Sequence, residues 1–286
     1  MSVARKPEWL RRKIDPVAEA QMGALLRSLS LHTVCEGANC PNRGECFRSK
    51  TATFMILGDV CTRGCRYCAV EKGAPTPLDP EEPQRLARAA ETLGLRHVVV
   101  TSVTRDDLSD GGAAHFARTV EALRGRLPAA TIEVLIPDFQ GSENALQTVI
   151  DARPDIVNHN VETVPSLYRT VRPQADYARS LELLRRVKRA GLVSKTGLMV
   201  GLGETKTEVL ALMDDLVSVG CDMLTIGQYL QPGKLYLPVA EFVAPAQFEE
   251  YKTAALQKGI RFVASGPLVR SSYHAADGVA QMKGER

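Results

Sequence analysis

The sequence predicts an α/β fold, a partial (β/α)6 TIM-like barrel with N- and C-terminal extensions, on three observations. From about residue 52 onward, short β-rich runs alternate with longer stretches of helical periodicity, which points to a parallel sheet with crossover helices. The chain has 286 residues, 44% hydrophobic and 24% charged, so it can bury one sizeable core, and no Ser/Gly-rich linker divides it. Polar residues collect where strands end, as in Thr101 to Asp107 and Asn158 to Thr163, and in a barrel those ends carry the chemistry.

The first predicted strand is Thr53 to Leu57. It is followed by His97 to Val103, Thr131 to Pro137, Asp155 to Asn160, Thr196 to Gly201 and Met223 to Tyr229, six in all, with Arg261 to Ser265 a further terminal element. Helical segments lie between them at Pro80 to Leu93, Ala113 to Arg126, Pro165 to Ala190 and Thr205 to Val219, with Pro245 to Lys258 after the last strand. Asp79, Thr163 and Thr205 stand where helix caps belong, and Pro80 and Pro165 sit near first turns. Thr205 followed three residues later by Glu208 reads as a capping box. The alternation fails at both ends, so residues 1–50 and 266–286 are read as extensions of a 51–265 barrel.

Net charge is only +3, and Lys and Arg are spread along the chain, which leaves no footprint for nucleic acid. No run of about 18 apolar residues exists to cross a membrane. Met1 to Ile14 is basic but lacks the apolar stretch of a secretory signal, so a cytoplasmic protein is expected. Six of the seven cysteines fall between residues 35 and 68. Such crowding without an export signal argues for metal binding in a reducing compartment rather than for disulfides. Cys221, the seventh, reads as a small buried apolar residue.

Cys61, Cys65 and Cys68 follow the first strand with a three-then-two spacing. Three thiolates can hold three irons of a four-iron cluster and leave the fourth iron open to a ligand. Structural zinc is the alternative, although it wants four ligands and only Cys65/Cys68 have the C-x2-C spacing. Cys35, Cys40 and Cys46 form a second triplet, spaced four then five. It too lacks a fourth cysteine, and zinc completed by a residue such as His32 stays open here.

The Cys61 triplet, with the aromatic Tyr67 before its third cysteine, resembles the signature of the radical S-adenosylmethionine superfamily. The resemblance implies that the open iron chelates the amino and carboxylate groups of S-adenosyl-L-methionine and that one electron cleaves the sulfonium to a 5′-deoxyadenosyl radical. Asp110-Gly111-Gly112 resembles the family's glycine-rich element, which meets the cofactor's amino group. Gly197 to Glu204 resembles its fifth-strand motif near the adenine. Arg105, Arg172 and Lys195 are candidates for the cofactor carboxylate, and Asn160 and Glu162 for its ribose. His159 is expected to be a satisfied barrel histidine.

The order of the two triplets resembles the lipoyl synthase family, and the likeness runs over nearly the whole chain. It includes Lys6-Pro7-Glu8-Trp9-Leu10, Thr101 to Gly112, Ile136-Pro137-Asp138-Phe139, Asn158 to Thr163, Val171-Arg172-Pro173 and Arg270-Ser271-Ser272-Tyr273-His274. It implies two 4Fe-4S clusters, the auxiliary one held by Cys35, Cys40 and Cys46 with a serine as fourth ligand, Ser272 in preference to Ser271. The implied reaction inserts two sulfur atoms at carbons 6 and 8 of a protein-bound octanoyl group, with the auxiliary cluster as sulfur donor. Implied partners are octanoylated lipoyl carrier domains (2-oxoacid dehydrogenase E2, glycine cleavage H protein), an electron donor such as flavodoxin or ferredoxin, and iron–sulfur carrier proteins. Hydrogen abstraction by a carbon radical needs placement and water exclusion, so no acid–base pair is sought. The rivals are a biotin synthase-like sulfur inserter or two-cluster dehydrogenase, and a non-catalytic electron carrier or zinc module.

Overall fold

The computed structural model describes residues 6–11, 15–38, 40–48, 53–272 and 278. Asn39, Tyr273 and His274 lie outside the described residues. In the N-terminal extension, helix α1 (Pro16–Ser28) leads to a short strand β1 (His32–Thr33) and two small helices, α2 (Val34–Gly37) and α3 (Arg43–Arg48). The first barrel strand, β2 (Thr53–Ile56), is followed by a side ribbon of β3 (Val60–Cys61) and β4 (Glu71–Lys72). The chain then alternates through α4 (Glu82–Thr92), β5 (His97–Ser102), α5 (Ala113–Arg126), β6 (Thr131–Leu135), α6 (Glu143–Asp151) and β7 (Ile156–Asn158). It continues through α7 (Tyr168–Val171), α8 (Tyr177–Arg189), β8 (Val193–Val200), α9 (Lys206–Ser218), β9 (Met223–Gln228), α10 (Pro245–Gln257) and β10 (Phe262–Gly266).

Among the described residues the main sheet has eight strands in the order β1-β2-β5-β6-β7-β8-β9-β10. Every pairing from β2 to β10 is parallel, and β1 adds to β2 antiparallel, with His32 opposite Met55. The two end strands do not pair, so the barrel is open, and β10 is a seventh parallel strand in register with β9. Apolar residues of the outward strand faces, such as Phe54, Ile56, Val98, Val100, Ile132 and Val134, are buried with Leu86, Phe116 and Leu123 of α4 and α5. A second cluster joins Val200, Leu224 and Ile226 to Leu212, Leu216 and Phe248 of α9 and α10. Each fully buried side chain of this kind contributes about 1.5–3 kcal/mol relative to exposure.

Two local readings are corrected. Pro165 to Ala190 is not one helix: a 3-10 turn over Pro165–Leu167 runs into α7, which stops at Arg172. Pro173 keeps Arg172 out of helical geometry (φ −136°, ψ 71°), and α8 restarts at Asp176, whose side chain accepts from Arg179 N–H at 2.7 Å. Thr163 caps nothing; its hydroxyl is buried without a partner. Helix α6, begun by Ser142 accepting from Ala145 N–H, is an element the periodicity did not bring out. The capping box at Thr205 forms as expected.

The barrel interior holds a charge pair. Lys195 on β8 donates to both carboxylate oxygens of Glu133 on β6, at 2.8 and 2.9 Å, and both side chains are essentially inaccessible. Asn158 Nδ2 of the intervening strand adds a bond at 3.2 Å. Burial opposes ionisation of Glu133, but Lys195 and His97 outweigh it and hold the carboxyl down at about 2. Removing one partner strands a buried charge, which typically costs about 3–5 kcal/mol, whereas apolar replacement of both is close to neutral. Glu133→Ala should therefore lower the urea midpoint steeply, while Glu133→Leu with Lys195→Met should recover most of the loss. Equal destabilisation by the single and the double variant would contradict this.

Candidate functional site

The loop after β2 is shaped for Cys61, Cys65 and Cys68 by main-chain turns at Leu57 (φ +70°) and Gly58 (φ +89°), and β3 and β4 close it on itself. Its anchors come from neighbouring strand ends. Thr62 donates through its N–H and its hydroxyl to Thr104 O, both at 3.0 Å, and its oxygen accepts from Asp106 N–H. Arg63, only 5% exposed, grips Asp106 with Nε and Nη2 at 2.6 and 2.8 Å and reaches Asp138 at 2.6 Å. Asp138 also accepts from Arg179. Burial raises the Asp138 carboxyl, but the Arg63 bond and charge prevail and hold it at about 2. Arg66 N–H bonds Val171 O, and Gly64 N–H bonds Gln174. The cysteine loop is thus tied to the ends of β5 and β6 and to the segment after α7.

Cys61, Cys65 and Cys68 line a cavity of about 290 Å³ at the carboxyl ends of the strands. N–H groups of Arg63 and Thr104 point at the Cys61 sulfur, at 3.5 and 3.4 Å. Burial pushes the Cys65 thiol up and that of Cys68 to about 12. Such thiols ionise through coordination, which removes the proton outright. Among the described residues no three His, Cys, Asp or Glu groups converge on a single ion. A cubane does not require that, since each thiolate takes its own iron.

Cys35, Cys40 and Cys46 are set by the N-terminal extension. Thr33 caps α2 and places Cys35 in it; Cys40 follows, with its N–H on Cys35 O, and Cys46 sits in α3. Burial raises the Cys35 thiol to about 11, against bonds from Thr53 that favour its thiolate. Asn42, between Cys40 and Cys46, donates to Leu268 O at 2.7 Å and draws the C-terminal segment onto this triplet. There Ser272 Oγ accepts from Thr53 Oγ1 at 2.7 Å, whereas Ser271 lies on the other side, 3.4 Å from Asn160 Nδ2. Cys35, Cys40 and Cys46 do not line the cavity; their neighbours Val34 and Ala38 do, together with Thr53, Ser271 and Ser272. His32, the candidate zinc ligand, is exposed on β1.

Tyr67, Asn160, Glu162 and Arg172 complete the lining. Glu162 holds φ +66° and bridges Leu198 of β8, a strained placement of the kind found at functional sites. Burial raises its carboxyl, and Arg172, Asn160 and Tyr67 partly offset this. Arg172 donates to Asn160 O at 2.9 Å while its Nε has no partner; Asn160 Oδ1 has none either. A Cβ on Gly197 would stand 2.7 Å from that Oδ1, and one on Gly227 only 2.1 Å from Val269 O. Glycine at these two points lets polar groups and the C-terminal segment crowd the strand ends. Unpaired donors and acceptors beside buried thiols are what a polar cofactor needs, so the residues fit S-adenosylmethionine with a cluster.

Other candidates lie elsewhere. Lys195 is corrected: it is held by Glu133 inside the barrel and does not reach the cavity. Gly111 and Gly112 do not line it; both have positive φ and pack on Phe139 and Leu57, where a Cβ would come within 2.9 and 2.4 Å. Arg105 is bound to Asp107 and Leu57 O. His159 is satisfied by Ile136 O and Ser180, and burial lowers it to about 4. Cys221 is buried, its thiol pushed to about 12.

Residues 55–216 match the Radical SAM superfamily. Lipoyl synthase of Caldanaerobacter subterraneus subsp. tengcongensis is 58% identical over 98% of this chain and 99% of its own. Lipoyl synthase of Nitratidesulfovibrio vulgaris is 59% identical over 95% of this chain and 91% of its own. The chain belongs to the lipoyl synthase family of radical S-adenosylmethionine enzymes. Methylornithine synthase (TM-score 0.55, 15% identity, 76% of this chain and 72% of that one) shares the fold. So does SuiB of Streptococcus suis (TM-score 0.58, 12% identity, 87% and 60%). As a lipoyl synthase family member the chain is an enzyme that uses S-adenosylmethionine and 4Fe-4S clusters, and it acts on an octanoylated lipoyl domain with the help of a reductant.

The Arg63 clamp yields a prediction for this family member. Arg63→Leu leaves Asp138 without its closest cation and cuts the loop's side-chain tie to the ends of β5 and β6, leaving the Thr62 bonds to Thr104 and Asp106 as its link to β5. After anaerobic reconstitution it should lose the iron of the Cys61 site and cofactor cleavage while keeping the other cluster's absorbance, and Arg63→Lys should rescue it poorly, because one ammonium cannot replace a bidentate fork. Parental iron content in Arg63→Leu would show that the clamp is dispensable.

Proposed function

We propose that the two triplets divide the work of lipoyl synthesis between a radical site at Cys61, Cys65 and Cys68 and a sulfur-donating site at Cys35, Cys40, Cys46 and Ser272. The observation that carries this is the shared cavity: the radical triplet lines it directly, and Thr53, Ser271 and Ser272 bring the auxiliary site to the same space. The bound clusters and S-adenosylmethionine supply a 5′-deoxyadenosyl radical and the sulfide for carbons 6 and 8 of the octanoyl chain. The protein supplies position and dryness. Tyr67, Asn160, Glu162 and Arg172 are the residues we assign to the cofactor's polar groups, with Arg172 suited to its carboxylate and Asn160 and Glu162 to its ribose. Gly111 and Gly112 serve this reading only by shaping the turn before α5.

The apolar lining, with Met55, Val70, Val103, Leu135, Leu198 and Met199, suits an alkyl chain and keeps water from the reacting carbons. The 1–50 and 266–286 extensions are then functional parts of the site flanking the 51–265 barrel. Carrier domains of the 2-oxoacid dehydrogenase E2 and glycine cleavage H type are the substrates of this reading, a flavodoxin or ferredoxin its electron donor, and iron–sulfur carrier proteins its source of new clusters. Among the described residues no helix is long and apolar enough to cross a membrane. The demand for reduced thiols supports a cytoplasmic site of action.

Separate Cys→Ala variants test the division. Any of Cys61, Cys65 or Cys68 should abolish 5′-deoxyadenosine formation while an auxiliary cluster still assembles. Any of Cys35, Cys40 or Cys46 should leave 5′-deoxyadenosine measurable and stop sulfur transfer to an octanoylated peptide, followed by mass. Thiolated product from Cys40→Ala would defeat the assignment.

A further inference from the structure

Thr53 begins the first barrel strand, is 3% exposed and pairs with Val99 of β5, while the next two residues, Phe54 and Met55, pair with β1 on the other side. Its β-branched side chain has little rotational freedom. Its hydroxyl donates to Ser272 Oγ at 2.7 Å across 219 residues of sequence, and both its N–H and its hydroxyl also face the Cys35 sulfur. It also lines the cavity. One residue of the rigid barrel thus touches the N-terminal extension, the C-terminal extension and the space between the two proposed sites. A buried hydroxyl without a partner is costly, and valine would fill the same volume, so the hydroxyl is the feature to explain.

We propose that Thr53 is a positioning residue of the auxiliary cluster, its hydroxyl holding the Ser272 oxygen on iron and drawing charge from it. This rests on the reading of Ser272 as a ligand. A serine oxygen on iron carries negative charge and is a strong acceptor, so a neutral hydroxyl directed at it makes a charge-assisted bond. That bond holds the oxygen in place at 2.7 Å, and it also reduces the oxygen's donation to iron. Hydrogen bonds to cluster ligands are one of the levers that set reduction potential. Thr53 therefore makes the cluster easier to reduce than an unassisted serine would.

The test uses the full chain with Cys61, Cys65 and Cys68 changed to Ala, so that only the auxiliary cluster is present, and reads its midpoint potential by an EPR-monitored titration. Thr53→Val keeps the shape and loses the hydroxyl; Thr53→Ser keeps the hydroxyl and loses the methyl. The expected result is a downward shift in Thr53→Val and a parental potential in Thr53→Ser. Loss of the cluster in Thr53→Val with retention in Thr53→Ser supports the same role. A parental potential in Thr53→Val, or a shift confined to Thr53→Ser, overturns it in favour of packing. Ser272→Ala in the same background isolates the premise: an unchanged EPR spectrum removes Ser272 as ligand and the proposal with it, whereas a changed spectrum beside a parental Thr53→Val refutes the role of Thr53 alone.

Discussion

The site depends first on the buried guanidinium of Arg63. A cluster held by three thiolates leaves one iron without a protein ligand, so the protein must fix the loop that aims that iron. A short loop with Gly64 at its centre has no core of its own to stiffen it. Arg63 supplies the stiffness by turning its charge inward onto Asp106 and Asp138, groups that belong to the ends of two barrel strands. A pair so buried is favourable only when each polar atom is satisfied. Here Asp138 is also bonded to Arg179 and to Gln140 N–H, and Thr62 secures the loop's other side. The barrel's rigidity is thereby passed to three sulfurs.

The open barrel answers a second requirement. A closed (β/α)8 barrel fills its interior with side chains. This one ends at β10; the extensions before β2 and after β10 meet through Asn42 to Leu268 O, and Thr53 of β2 adds its bond to Ser272. The lower interior stays solid, with Glu133, Lys195 and Asn158 crosslinking three adjacent strands. The upper interior keeps a cavity of about 290 Å³. The same barrel therefore carries a sealed charge pair near the strand starts and an accessible, thiol-lined space at the strand ends.

The parts legible in the sequence were those whose chemistry is local. The spacing of Cys61, Cys65 and Cys68 keeps them on one loop, where they line one cavity, and the alternation of strand and helix patterns states the sheet. Lys195 misled because a charge beside a strand looks alike from either end; it sits near the start of β8, opposite the reacting face, and the strand begins two residues before it. Gly111 and Gly112 carry the signature of a turn as readily as that of a cofactor loop, and the structure uses them for a turn packed on Leu57 and Phe139. The break at Arg172-Pro173 was visible as a proline rule, yet helical periodicity on both sides masked it. Thr53 gave no signal, because its partners lie far away in sequence; Glu162 stood out as a ribose candidate, but its left-handed backbone did not, because it depends on the bridge to Leu198.

The central claim is that the sulfur enters from the site built by Cys35, Cys40, Cys46 and Ser272 and crosses the cavity to a chain activated at the other triplet. It is tested most directly by rebuilding the clusters with sulfide enriched in sulfur-34 and running a single turnover with S-adenosylmethionine, reductant, an octanoylated carrier and unlabelled sulfide in solution. The account predicts that both sulfur atoms of the product carry the heavy isotope. A product holding only natural-abundance sulfur would contradict it.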